Sequence, residues 1–87
     1  MKMFKKEKFT IITDRSGMYA ARYIAHDLKH RRTKVGCYGH DNHVVTVFTP
    51  GYGDETVEIA IKALFSNGYK IRINKAERLA VVTKVGS

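Results

Sequence analysis

Eighty-seven residues, 44% hydrophobic and 28% charged, describe one globular domain, too short a chain for a second core. Sixteen Lys and Arg against eight Asp and Glu leave a formal net charge of +8. No apolar run approaches the roughly 18 residues that span a bilayer, and the apolar stretch after residues 1–8 is too short for a secretory-signal core. Cys37 stands alone, which excludes an internal disulfide and a multi-cysteine zinc site. The expectation is a cytosolic protein with no cofactor and no membrane contact, residues 1–7 forming a flexible basic arm.

Residues 8–13, rich in Phe, Ile and Thr, predict a first strand. Asp14-Arg15-Ser16-Gly17 is a turn into a helix that Asp14 or Ser16 can cap. The helix is predicted over 18–30, because Gly17, Ala21, Ile24, Ala25 and Leu28 fall on one side at 100° per residue. Residues 35–38 and 43–48 are β-prone, and Gly39-His40-Asp41-Asn42 between them supplies hairpin-turn residues. One long strand over 35–48 is the alternative.

Thr49-Pro50-Gly51-Tyr52-Gly53 is the clearest loop. Asp54 suits the N-cap of a second helix whose apolar side is Val57, Ala60, Ile61, Leu64 and Phe65, and Asn67-Gly68 stops it. Residues 69–73 alternate as a strand with one wet face should, and 79–85 read as a last antiparallel strand. The string β-α-β-β-α-β, with a fifth strand appended, predicts an α+β two-layer sandwich. Two helices would cover one face of a four- to five-stranded antiparallel sheet, in a ferredoxin-like arrangement.

The charge is uneven. Residues 15–34 carry a net +5 and residues 54–68 a net −2. Opposite the core stripe of the first helix lie Tyr19, Arg22, Tyr23, His26, Lys29 and His30, at spacings of three, four and seven. Arg31, Arg32 and Lys34 continue the basic run past its end. Lys and Arg neutralise phosphates and release counterions, and tyrosine offers a flat face for stacking. These nine residues are therefore the candidate nucleic-acid-binding set, on RNA or DNA.

A solvated helix face with two amphipathic tyrosines is the plainer alternative. A second function class competes: a small regulatory or inhibitor protein that binds an acidic surface, or pairs through its sheet edge, on a larger protein assembly. A second platform is the open sheet face, where Lys70, Arg72 and Lys84 would alternate outward with Tyr38 or Phe48 beside them.

Signals for chemistry are weak. His26 and His30 have metal-ligand spacing, but nothing places two further ligands with them. Catalysis would need Asp14, Cys37 and a histidine in one pocket, which so short a chain has little room to build. The expectation is a non-enzyme. Ile59, on the polar side of the second helix, marks a candidate homodimer contact, as does an open sheet edge.

Overall fold

The computed structural model describes residues 8–30 and 34–85. The elements follow as β1 (Phe9–Thr13), a 3₁₀ turn (Arg15–Gly17), α1 (Met18–Leu28), β2 (Gly36–Gly39), β3 (Val44–Phe48), α2 (Asp54–Leu64), β4 (Tyr69–Asn74) and β5 (Leu79–Lys84). Residues 35–48 form a hairpin and not one long strand. β2 pairs antiparallel with β3, and the His40 N–H donates to the His43 carbonyl at 2.8 Å to close the loop.

The architecture is α+β, with two helices and a five-stranded sheet in the order β2-β3-β1-β5-β4. The expected all-antiparallel, ferredoxin-like sheet needs correction. β1 pairs antiparallel with β3 but parallel with β5, so the sheet is mixed. The reason lies in the last hairpin. β4 and β5 pair antiparallel along their whole length, and it is β5, the returning arm, that lies against β1. The sequence shows that β4 and β5 are strands, but not which of them inserts beside β1.

Alternation sorts the side chains. Phe9, Ile11 and Thr13 of β1, Val44, Thr46 and Phe48 of β3, and Ala80 and Val82 of β5 are buried. The α1 stripe Ala21, Ile24, Ala25 and Leu28 joins them in the core, with Val57, Ile61 and Phe65 of α2 and its end. Phe9 and Phe48 meet at 6.0 Å between ring centroids, and Phe65 meets Tyr69 edge-on at 5.1 Å. Leu64, expected in this stripe, is instead 45% exposed.

The caps are local and specific. Asp14 Oδ1 accepts from the Gly17 N–H at 3.1 Å and from the Ser16 hydroxyl at 2.7 Å, and the Tyr69 hydroxyl reaches Ser16 Oγ at 2.8 Å. That last contact ties the start of β4 to the start of α1. Gly17 is tightly enclosed: a Cβ there would lie 3.0 Å from Thr13 Cβ and 3.1 Å from the Phe65 ring, so both neighbours would have to give way. In α2 it is Gly53 that occupies the N-cap position, with no side-chain cap, and Asp54 is the first helical residue.

The Asp54 carboxylate accepts from Arg78 at 2.8 Å. Arg78 sits in the β4–β5 turn with φ 53 and its guanidinium 5.9 Å from the Phe9 ring centroid. Its carbonyl accepts from the Thr10 N–H at 3.0 Å. One residue thus joins the β4–β5 turn, the start of β1 and the first turn of α2.

Two stability predictions follow from these contacts. Gly17→Ala overpacks the junction and should cost about 1–3 kcal/mol in urea unfolding, against under about 0.5 kcal/mol for Gly39→Ala, where nothing lies within 4 Å. Arg78→Ala should cost about 2 kcal/mol through the lost charged hydrogen bond. Arg78→Gly should recover about 1 kcal/mol of that, since glycine takes the left-handed backbone without penalty.

Candidate nucleic-acid interface

The predicted helix 18–30 ends at Leu28, two residues early. Lys29 is extended at ψ 151 and forms an isolated antiparallel bridge with Pro50. The His30 N–H donates to the Thr49 carbonyl at 2.6 Å, and the Gly51 N–H donates to the Leu28 carbonyl. Tertiary pairing with the loop before α2 therefore unwinds the last turn that the periodicity predicts. His26 and His30 consequently do not share a helix face at one-turn spacing. Among the described residues no group of three or more His, Cys, Asp or Glu is placed to hold a metal ion.

The helical part of the predicted set remains together. Tyr19, Arg22, Tyr23 and His26 lie on the outer side of α1, all exposed, with Tyr19 at 73% and Tyr23 at 66%. Two large aromatic side chains left so open on an 11-residue helix are the most distinctive feature of this side. Lys29 and His30, also exposed, follow on the extended segment. Lys34 is exposed and lines a groove of about 500 Å³ with Lys8, Tyr38 and Val47. Arg31 and Arg32 lie outside the described residues.

Two neighbours of this side were not singled out by the sequence. The Arg15 guanidinium donates to the carbonyls of His40 and Asp41, holding the tip of the β2–β3 hairpin beside the start of α1. His40 and His43 stack there at 4.5 Å and 14°. Beside Gly51, Tyr52 is a further exposed tyrosine, and the position of a Gly51 Cβ would be 3.4 Å from the Lys29 carbonyl. Both contacts bridge more than twenty residues of chain, so no local pattern announces them.

The ion pairs divide the charge. Glu58 meets Lys62 at 3.0 Å and Lys75 at 3.5 Å, and Asp54 meets Arg78, so two of the three acids of α2 are neutralised at home. Arg22, Lys29 and Lys34 make no ion pair among the described residues. Uncompensated positive charge therefore lies on the α1 side and its continuation, and also on Lys8, Lys70, Arg72 and Lys84 at the sheet, which make no ion pair among the described residues.

The remaining candidates separate. Cys37 is exposed on β2 with its sulfur 3.8 Å from Thr46 Oγ1. Asp14 and His43 line a small groove at the end of the sheet that Cys37 does not reach. His43 Nδ1 is 3.0 Å from Asn42 Oδ1. Ile59 is exposed among Asp54, Glu55, Glu58 and Lys62. Among the described residues, no helix is long and apolar enough to cross a membrane. The chain matches no protein family, no curated protein and no solved structure in the comparisons made.

Lys62, by its hydrogen bond to the carboxylate, holds the pKa of Glu58 below the usual 4.5, and Lys75 adds to this. A carboxylate lowered on folding contributes stability at pH above 4.5, and that contribution is lost as pH falls through the folded value. An NMR titration of Glu58 should give a midpoint below 4.5, and Lys62→Gln should move it back towards 4.5.

Proposed function

We propose that this chain is a small non-enzymatic nucleic-acid-binding protein whose contact surface is the outer side of α1 and the basic segment after it. The observation that carries the proposal is the exposure of Tyr19, Arg22, Tyr23 and His26 on one helix side, with no ion pair to Arg22 among the described residues. Arg22, Lys29, Arg31, Arg32 and Lys34 supply the phosphate contacts. Tyr19 and Tyr23 stack on bases or lie along sugars, and His26 donates to phosphate from an imidazole N–H.

Binding on this side is driven by counterion release. Each cation that reaches a phosphate frees condensed salt, so affinity falls steeply as salt rises. The paired carboxylates of α2 keep their charge away from that surface, and the pairing spends Lys62, Lys75 and Arg78 on the protein itself. Exposed tyrosines favour a single strand, whose bases are free to stack. An acidic protein surface is the competing partner for the same side.

Fluorescence anisotropy with a random-sequence 20-mer tests this. Five phosphate contacts predict a log–log salt slope of about −3.5 on a single strand and about −4.5 on a duplex. Arg22→Glu with Lys29→Glu should weaken binding at least tenfold and flatten the slope by about 1.5–2. A slope near zero in the native protein, or unchanged binding in the double variant, overturns the proposal.

A further inference from the structure

The face of the sheet that the helices leave open is not the polar surface expected of a wet antiparallel face. The strand register places Tyr38, Val45, Ile12, Val81 and Arg72 in one row across all five strands. Val47, Thr10 and Leu79 form a second row beside it. The three middle strands thus present aliphatic side chains throughout the first row and, apart from Thr10 on β1, in the second, each of them half-buried.

Two expected members of this face lie elsewhere. Phe48 is fully buried in the core, and Lys84 pairs opposite Tyr69, on the side of the helices. Tyr38 is present, 58% exposed, with its ring folded over Gly36: a Cβ on Gly36 would come 2.5 Å from the phenol oxygen.

The rim of this face is cationic on both flanks. Lys8 and Lys34 line the groove beside Tyr38, and Lys70 and Arg72 point outward on β4. No acid stands in either row. An apolar strip with cations at both ends calls for a partner that is apolar in the middle and acidic at its ends.

We infer that the open sheet face is a docking surface for an acidic protein segment with an apolar side. The distance from Tyr38 to Arg72 is four strand spacings, about 19 Å, which is the length of a helix of about 13 residues. A second copy of the chain is disfavoured because it would set cations against cations. Nucleic acid is disfavoured because the central positions, Thr10 apart, carry aliphatic groups, which offer bases neither a flat ring nor a hydrogen bond. This surface is on the opposite side of the sheet from α1 and shares only Lys34, at its rim, with the nucleic-acid proposal, so it goes beyond that proposal and is tested separately.

The test is an ¹⁵N NMR titration of the full chain with a 13-residue synthetic peptide of leucines at three- and four-residue spacing and glutamates elsewhere. A matched peptide with lysine for every glutamate is the control. The expected result is saturable shifts at Ile12, Val45, Val47 and Val81 with the acidic peptide and none with the basic one. Lys70→Glu with Arg72→Glu should weaken binding at least tenfold. Gly36→Val, which lifts the Tyr38 ring without touching the core, should weaken it several-fold.

No saturable shift, equal binding of the lysine peptide, or shifts confined to α1 would overturn the inference. So would shifts at these residues on raising protein concentration alone, which means a second copy, or on adding the 20-mer, which means nucleic acid. Val81→Thr should lower peptide affinity and leave the oligonucleotide titration as it was, so failure at one surface is distinguishable from failure at the other.

Discussion

The parallel pairing of β5 with β1 is the constraint on which the rest of the molecule depends. It places Ala80 and Val82 under the helices, and with the same alternation turns Leu79 and Val81 to the open side. It displaces β4 to the edge, where Lys70 and Arg72 guard the outer strand against pairing with another chain. It also brings the β4–β5 turn against the start of β1, where Arg78 bonds Thr10 through its carbonyl and Asp54 through its guanidinium. If β4 had paired with β1 instead, Arg78 would have no such place, and the aliphatic rows of the open face would be broken by Lys70 and Arg72.

The two sides of the molecule then divide by chemistry. On the helical side, α2 satisfies two of its three acids with lysines and an arginine of the same chain, while on α1 Arg22 makes no ion pair among the described residues and Tyr19 and Tyr23 are exposed. On the sheet side, the middle is apolar and only the flanks are charged. The proposed polyanion would meet the first surface, where Tyr19, Arg22, Tyr23 and His26 are exposed together. The acidic, partly apolar segment inferred for the second would gain affinity from burial, with the flanking cations selecting the sign of the partner. The sheet separates the two surfaces, which meet at Lys34.

The elements were largely legible in the chain because each is fixed by local rules. The Asp14 carboxylate caps a turn three residues long, the Ala21–Ile24–Ala25–Leu28 stripe has helical period, and residues 69–74 alternate. The errors share one cause. Lys29 and His30 continue the helical pattern but are drawn out of it by hydrogen bonds to residues 49–51. Asp54 has the chemistry of a cap but is taken by an arginine 24 positions away. Arg15 gives no local sign that it will hold the hairpin tip at His40 and Asp41. Each outcome is decided by a contact between distant segments, which periodicity and spacing do not encode.

The net charge of +8, its concentration between residues 15 and 34, and the placement of tyrosines among those cations were settled by the sequence alone, since composition and helical spacing are local properties. So was the α+β class, which follows from the order of patterned segments. Tertiary structure alone decided which strand lies beside β1, where α1 stops, which acids are neutralised and which face is left apolar. Those depend on pairing between segments far apart in the chain. There, backbone hydrogen bonding and burial choose among arrangements that the local pattern leaves equally open.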